Sequence, residues 1–367
     1  MLIDAAGYGK PCVAAINLAH WPASSTNPSM QITMRLDSDQ RRIFVLGATG
    51  TIGRACVQAL VRRGHDVVCF VRPRAGVGGT LTASNSAKLL AGATVRFGDI
   101  TDPLSLARDG IRGERFDALV SCMASRTGAP ADAWAVDYQA HVHALEAGQK
   151  AGVVHMLLLS AICVQKPQLA FQFAKLAFEN TLRESGMAYT IIRPTAFFKS
   201  LCGQVERIKQ GKPFLVFGDG TLTSCKPISD SDLADYIADC LSDERRRNCV
   251  LAIGGPGDAI TPRQQAEYLF ALMNRPLRIR QVPVALLSGI IGVLEVLGRV
   301  APALAAKAEL ARIGRYYATE SMLLWNSESG RYDAASTPST GTETLFNFYV
   351  RLVQGSAAPE RGDHAVF

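Results

Sequence analysis

A strand, a glycine-rich turn and a helix follow one another between residues 43 and 64. Four apolar residues (43–46) predict a buried strand, and the helix predicted for residues 55–64 ends at a glycine. The turn between them has G-x-x-G-x-x-G spacing, which lets the backbone approach a pyrophosphate, while the helix N-terminus stabilises its charge. We therefore predict a dinucleotide-binding turn. Its expected cofactor contacts are Gly47, Thr49, Gly50, Thr51, Ile52 and Gly53.

Two arginines follow the second predicted strand (residues 65–71), in the sequence Arg72-Pro73-Arg74. In NAD-binding units this position usually carries an acid that binds the ribose hydroxyls, whereas an arginine suits the additional 2′-phosphate of NADP. Arg72 and Arg74 therefore favour NADPH as the cofactor. The alternative is that both arginines are solvated loop charges.

Strand-like and helix-like segments alternate up to residue 194. Further strands are predicted at residues 93–97, 116–120, 153–159 and 189–194. This alternation predicts an α/β fold with a doubly wound, parallel Rossmann sheet, and the change of pattern that follows predicts a smaller C-terminal lobe. The predicted parts are a disordered extension (1–40), an NADP-binding Rossmann domain (41–194), a substrate-binding lobe interleaved with the main domain (195–354) and a flexible tail (355–367).

More cofactor contacts are expected where the third and fourth strands end. Asp99 follows the third strand, where an acid often meets the adenine amino group, and Ile100 is placed beside it. Alternatively, Asp99 or Asp102 only caps the helix that begins at Pro103. Cys122 belongs to a run of small residues after the fourth strand, which suits a backbone close to the nicotinamide ribose.

The composition argues against several classes of function. The net charge of +7 is modest and no basic run is interleaved with aromatic residues, so nucleic acid is not an expected partner. Nine cysteines are scattered without a C-x-x-C pair, which indicates a reducing compartment and argues against an iron–sulfur cluster or a metal site. Residues 1–40 lack the features of a signal or transit peptide, so we expect a disordered extension or a start at Met30 or Met34.

A strongly apolar stretch covers residues 284–306. Glu295 and Arg299 interrupt it, which argues against a membrane-spanning helix. Two interpretations compete. The favoured one is a buried pair of helices, and the other is an amphipathic helix that lies on a membrane or covers an apolar substrate.

Ser160, Phe171 and Lys175 occupy positions at which short-chain dehydrogenases place reactive groups. In those enzymes a serine ends the fifth strand, a tyrosine donates a proton, and a lysine four residues later binds the nicotinamide ribose. Here phenylalanine replaces the tyrosine and cannot donate a proton. Either catalysis is lost, or a conjugated carbon–carbon double bond is reduced, with the proton coming from water, Lys175 or another side chain. The alternatives are a turn role for Ser160 and a solvated position for Lys175.

The chain resembles the NADPH-dependent divinyl chlorophyllide a 8-vinyl reductases, atypical short-chain dehydrogenases related to isoflavone reductases. The resemblance covers residues 41–349, and its later motifs are the specific ones. The motifs, in chain order, are G-A-T-G-T-I-G (47–53), F-V-R-P-R (70–74), G-D-I-T-D (98–102), F-Q-F-A-K-L-A-F-E (171–179), R-P-T-A-F-F-K-S-L (193–201), G-D-G (218–220) and C-K-P-I-S-D-S-D-L-A (225–234).

The resemblance implies reduction of the 8-vinyl group of divinyl chlorophyllide a, or of a close tetrapyrrole precursor, to ethyl in (bacterio)chlorophyll biosynthesis. Lys175 would position the cofactor and deliver the proton, with Ser160 as a second catalytic group. Phe171, Phe197, Phe198 and Lys199 would contact the macrocycle and its carboxylate, although the last three could simply pack at a helix start. Because a plastid-type transit segment is missing, we expect a bacterial cytoplasmic protein that is peripheral at the photosynthetic membrane.

Two rival functions stay open at this point. One is an isoflavone-reductase-like enzyme that reduces a double bond in a phenylpropanoid. The other is a non-catalytic NADP(H)-binding protein, either a redox sensor or an assembly factor, which the phenylalanine at position 171 keeps in consideration.

Overall fold

The computed structural model describes residues 40–75, 79, 81–298 and 302–357, with side chains from residue 307 onward in the last of these segments. The extension predicted for residues 1–40 therefore lies outside the described part except for its last residue. The same holds for the two proposed start positions, Met30 and Met34, and for the predicted tail beyond residue 357.

Seven parallel strands form the central sheet in the order β3-β2-β1-β4-β5-β6-β8. This order reverses direction between β1 and β4, which confirms the predicted doubly wound Rossmann sheet. A ligand crevice is expected at the carboxyl ends of these two strands. The strands are β1 (Arg42–Leu46), β2 (Asp66–Val71), β3 (Thr94–Phe97), β4 (Ala118–Ser121), β5 (His155–Leu159), β6 (Ala188–Pro194) and β8 (Cys249–Ile253).

Helices cover both faces of this sheet. One apolar cluster packs α1 and α9 against the first face, and a second cluster packs α5 and α6 against the other. Because the sheet is covered twice, its central strands are mostly apolar, and in β1 the four residues after Arg42 are all apolar and buried. The helices of the two layers are α1 (Thr51–Arg62), α2 (Ala83–Leu89), α3 (Pro103–Ser105), α4 (Pro130–Ala133), α5 (His141–Lys150), α6 (Ala170–Glu184) and α9 (Asp230–Ser242).

Shorter helical turns complete this region, including a 3₁₀ turn (Glu244–Arg246) between α9 and β8. A π-helical turn (Leu106–Ile111) continues α3, and another (Trp134–Ala140) joins α4 to α5. A 3₁₀ turn (Ile162–Gln165) follows β5. The helical segment that ends with α5 thus begins with a π-helical distortion.

The last strand and one helix of the main sheet come from beyond residue 194. β8 pairs in parallel with β6, and α9 packs on α1. As an edge strand, β8 is only partly buried, although all five of its residues are apolar.

The smaller lobe has its own apolar core around Tyr349. In this lobe β7 does not form a hairpin with a neighbouring segment but pairs in parallel with the distant β9. The elements of the lobe are α7 (Phe198–Leu201), α8 (Gly203–Lys209), β7 (Phe214–Phe217), α10 (Pro262–Leu272), β9 (Ile279–Val282), β10 (Leu324–Asn326), β11 (Arg331–Asp333) and α13 (Leu345–Gln354).

The apolar stretch forms a pair of helices, α11 (Val284–Gly298) and α12 (Pro302–Thr319), which pack on each other. Among the side chains of α11, however, only Ile291 is buried. The buried-pair interpretation is therefore wrong for α11, because nothing in the described chain covers its outer face. None of the described helices combines the length and apolar character needed to cross a membrane.

Candidate functional site

Two glycines of the β1–α1 turn are required by the protein itself. Gly47 has a φ of +73°, and a Cβ atom there would lie 2.5 Å from the carbonyl carbon of Cys122. A Cβ atom on Gly53 would lie 2.1 Å from the carbonyl oxygen of Gly47. These close approaches join the ends of β1 and β4 and pack α1 against its turn. They explain why both positions require glycine.

Gly50 is different, because the fold does not require a glycine there. It is exposed, its φ is −71°, and a Cβ atom would have one neighbour, the Gly47 carbonyl oxygen at 3.4 Å. Gly50 is also the N-cap of α1, which has no side-chain cap and no acid in its first turn. An open, uncapped helix N-terminus fits an anionic ligand such as a dinucleotide pyrophosphate.

Lys199 lies at this turn and not in the core of the smaller lobe. Its ammonium donates to Oγ1 of Thr51, the first residue of α1. Both border a cavity of about 410 Å³ that Arg54 and Asp230 also line. Burial lowers the pKa of Lys199, with Asp230 opposing the shift, and burial raises the pKa of Asp230, with Lys199 opposing it. Glu343 and Arg351, which pair with each other, also line the cavity, so three cations face two acids and the cavity suits an anion.

Phe197 and Phe198 follow β6, but they take different positions. Phe198 is buried in the core of the smaller lobe, where its ring lies 5.4 Å from that of Phe348. This placement supports packing, the alternative to a substrate contact. Phe197 is half-buried, and the Lys199 ammonium lies 5.8 Å from its ring centroid.

The adenine side of the crevice is built from the ends of β2 and β3. Arg72 and Arg74 are exposed directly after β2, as a 2′-phosphate contact requires. The Asp99 carboxylate accepts from the N–H of Thr101 at 2.9 Å and from its hydroxyl at 2.7 Å, whereas Asp102 caps α3. Asp99 thus stabilises a local turn, and Asp102 is the N-cap of α3. Ile100 is half-buried against the sheet cluster that includes α5 and α6.

A buried histidine fixes the loop after β4, which contains the half-buried Cys122. Nδ1 of His141 lies 2.9 Å from the carbonyl oxygen of Val136, so this nitrogen donates. Nε2 then accepts from the Ser121 hydroxyl at 2.8 Å. Burial, reinforced by the charge of Lys175, lowers the pKa of His141 to about 4, so the ring is neutral at pH 7.

Lys175 is buried and paired. Its ammonium lies 2.9 Å from Oδ1 of Asp137, which also accepts from the N–H of Ser125 at 3.2 Å. Burial alone would raise the pKa of Asp137, but the Lys175 charge and the two hydrogen bonds outweigh it and lower that pKa. Lys175 is therefore not a solvated helix lysine.

Ser160 belongs to a second buried network at the ends of β5 and β6. Its hydroxyl donates to Oε1 of Glu179 at 2.5 Å, and Nε of Arg193 donates to the same oxygen at 3.2 Å. Arg193 also forms an ion pair with Oε2 of this carboxylate. The Ser160 proton therefore points to Glu179, so the network joins α6 to the sheet.

Phe171 lies on the same face of α6 as Lys175, one turn before it. Its ring approaches Gly128 in the loop after β4, where a Cβ atom would be 3.5 Å from Phe171 Cδ1 and 3.0 Å from Ile313 Cδ1. Ile313 belongs to α12, so this helix lies over the start of α6. The position that holds tyrosine in short-chain dehydrogenases is here part of an apolar contact.

Sequence reasoning missed Asp137 and the role of Glu179. The signal for Asp137 was its spacing, since it shares one helical stripe with the buried residues His141, Ala144 and Gly148. An acid on such a stripe indicates a buried partner. Glu179 falls four residues after Lys175, on the same face of α6.

Comparison with known proteins gives matches over most of the chain. A family model described as NAD(P)H-binding matches residues 47–244. The chloroplastic divinyl chlorophyllide a 8-vinyl-reductase of Oryza sativa subsp. indica is 46% identical over 95% of this chain and 89% of its own length. The protein of that name from Cucumis sativus is 47% identical over 89% of this chain and 79% of its own length.

Solved structures show the same fold at low identity. The structure named AtPrR2 with NADP+ and (+)pinoresinol superimposes with a TM-score of 0.62 at 17% identity, over 85% of this chain and 98% of that one. At this identity the similarity concerns the fold alone.

Proposed function

The chain belongs to the divinyl chlorophyllide a 8-vinyl-reductase family, and we propose that it uses NADPH to reduce the 8-vinyl group of divinyl chlorophyllide a, or of a close tetrapyrrole precursor, to ethyl. One observation of the site carries this proposal. Lys175 is held at the cofactor edge of the sheet, whereas the proton-donating tyrosine is replaced by Phe171 in an apolar contact. This arrangement suits a double bond better than a carbonyl group.

The residues at the crevice provide a contact for each part of NADPH. The open N-terminus of α1 at Gly50 and Thr51 would hold the pyrophosphate, with Lys199 beside it. Arg72 and Arg74 would bind the 2′-phosphate, and the backbone at Cys122 would pass the nicotinamide half. When bound, NADPH supplies the hydride for the reduction. An adenine contact of Asp99 stays a prediction.

Saturation of a vinyl group needs a proton as well as a hydride. Phe171 has no proton to give, and the Ser160 proton is directed to Glu179. We therefore assign Ser160 a supporting role and Lys175 the positioning of the nicotinamide ribose. Because the anion formed from a conjugated vinyl group is delocalised, its protonation by water or by Lys175 requires no fixed phenol.

The tetrapyrrole would lie where α12 faces α6. Phe171 and Ile313 form an apolar wall there. Phe198 is withdrawn into the core of the smaller lobe, and Lys199 lies at the cofactor turn. We therefore place the macrocycle against Phe171, with Phe197 as the second aromatic contact.

An optical assay tests this function. Purified protein is mixed with NADPH and divinyl chlorophyllide a, and the Soret band is followed. Saturating the vinyl group shortens the conjugation, so we expect a blue shift that requires NADPH and matches its consumption. Tight NADPH binding without any shift would favour a non-catalytic sensor, and turnover of a phenylpropanoid alone would favour the isoflavone-reductase-like enzyme.

We also propose that the protein is peripheral at a membrane through the outer face of α11. This face is an apolar stripe at helical spacing, where a water-exposed helix would be polar. Its four members and their exposed fractions are Leu286 (54%), Ile290 (41%), Val293 (60%) and Leu297 (45%).

The charges around α11 favour an anionic lipid surface. Glu295 and Glu309 both pair with Arg312, which offsets one of their two negative charges within the helix pair. Exposed basic residues flank the stripe on both sides along the chain. They are Arg275, Arg278, Arg280, Lys307 and Arg315.

Vesicle flotation tests the membrane contact. We expect the protein to float with phosphatidylglycerol vesicles more than with phosphatidylcholine vesicles, and V293E to abolish flotation. L104E is the matched control, since Leu104 is a 74% exposed apolar residue far from α11 in the chain. Equal flotation of both variants, or a stable dimer that V293E dissociates, would overturn the contact.

A further inference from the structure

Asp137 is a buried acid at an irregular point of its helix. It lies on the π-helical turn Trp134–Ala140, and its side chain is fully buried. π-Helical turns redirect side chains and are frequent at functional sites. A buried carboxylate is retained only when its charge is compensated, and here Lys175 on α6 compensates it.

One carboxylate oxygen joins the two segments that border the nicotinamide end of the crevice. Oδ1 of Asp137 lies 2.9 Å from the Lys175 ammonium and accepts from the N–H of Ser125, in the loop after β4. The other oxygen, Oδ2, is buried without a hydrogen-bond partner among the described residues. The Lys175 ammonium therefore compensates the buried negative charge of this carboxylate.

The missing tyrosine gives this pair its significance. Because residue 171 is phenylalanine, α6 provides no phenol oxygen one turn before Lys175. Three other titratable groups lie near Lys175. Glu179, one turn later on α6, pairs with Arg193, and Cys163 follows β5. The third, His141 on α5, is neutral at pH 7. Asp137 is thus the anion that determines where the ammonium sits.

We propose that Asp137 is a positioning residue for the reduction. It holds the Lys175 ammonium against the loop after β4, so that this charge is in place before the cofactor and the tetrapyrrole bind. Asp137 acts through Lys175 and does not touch the substrate. The identity of the reaction rests on the proposed function, whereas the Lys175–Asp137 pair is independent of it.

The first test compares D137N with D132N. Asp132 also holds the loop after β4, since it accepts from the N–H and the hydroxyl of Thr127, but it does not pair with Lys175. We expect D137N to lower kcat about 10²-fold, because small displacements of catalytic groups have effects of this size, with little change in the KM for the tetrapyrrole. D132N should keep kcat within about threefold of the wild-type value. Similar losses in both variants would mean that only the loop matters.

A double-variant cycle then asks whether Asp137 acts through Lys175. K175M and K175M/D137N should show the same kcat and the same NADPH dissociation constant, because the partner is already absent. Multiplying effects would overturn the proposal. If the wild-type protein reduces no tetrapyrrole, the proposed function fails. The NADPH dissociation constants of the same variants would still show whether Asp137 acts through Lys175.

Thermal unfolding provides a measurement that does not need a folded D137N protein. In the wild-type protein the pKa of Asp137 is lowered, so its contribution to stability is present at neutral pH and is lost as the pH falls. Without Lys175, burial dominates and raises that pKa. As the pH falls from 7 to 5, K175M should therefore lose less stability than K175M/D137N, which contains the same histidines but no carboxylate at position 137. A K175M protein that follows the wild-type trend would contradict the pair.

Discussion

Arg72 and Lys199 are expected to bind different parts of the same cofactor. Arg72 is exposed after β2, where only NADP carries a phosphate, whereas Lys199 contacts the first residue of α1, where NAD and NADP carry the same pyrophosphate. The two side chains therefore separate cofactor selectivity from cofactor affinity. This division makes two predictions at the scale of single residues.

R72E should weaken NADPH binding and leave NADH binding nearly unchanged. A charge-assisted hydrogen bond to phosphate contributes about 1.5–3 kcal/mol, so we expect a loss of about 10- to 100-fold for NADPH. Quenching of protein fluorescence measures both dissociation constants. R331E, an exposed charge reversal in the separate β10–β11 sheet, is the control. Equal weakening of both cofactors by R72E would exclude a 2′-phosphate contact.

K199M should weaken NADPH and NADH by the same factor. We expect about 10-fold for each, because one charged hydrogen bond to the pyrophosphate is removed from both complexes. The fluorescence titrations described for Arg72 provide the comparison. If K199M instead leaves both dissociation constants unchanged and raises the KM for the tetrapyrrole, Lys199 binds the substrate carboxylate.

At the scale of elements, the β1–α1 turn separates glycines that the fold needs from a glycine that the ligand needs. G53A should destabilise the protein by about 1–3 kcal/mol or more, because its Cβ would overlap the Gly47 carbonyl oxygen. G50A should keep the wild-type Tm and weaken NADPH binding, since its methyl group would occupy the open N-terminus of α1. A G50A protein with unchanged NADPH affinity would place the pyrophosphate elsewhere.

How far the sequence predicts these elements depends on the range of the interactions involved. The β1–α1 turn could be predicted because its glycines are explained by contacts within a few residues and by one neighbouring strand. The parallel pairing of β7 with β9 could not, because it joins segments far apart in the chain. The Lys175–Asp137 pair was missed for the same reason, since it links two helices across the second face of the sheet. The apolar character of α11 was evident, but whether anything covers it is a property of the whole fold.

At the scale of the whole molecule, the doubly covered sheet buries two histidines in neutral form. His155 donates from Nε2 to Oγ1 of Thr190 at 2.9 Å, while that hydroxyl donates to the Arg246 carbonyl oxygen. Its Nδ1 is buried without a partner among the described residues, so a proton there would find no acceptor. Burial lowers the pKa of His155 to about 4, as it does for His141.

These histidines should make the protein lose stability in mild acid. The unfolded chain takes up protons below its histidine pKa of about 6.5, whereas the folded chain does so only near pH 4. Stability is therefore complete above pH 6.5 and declines as the pH falls, by about 2 kcal/mol for each histidine at pH 5. Urea unfolding at pH 7 and pH 5 measures this loss.

H155Q should reduce the difference in unfolding free energy between the two pH values even if it lowers stability at both. An unfolding free energy that is the same at pH 7 and pH 5 would show that the sheet does not hold these rings neutral.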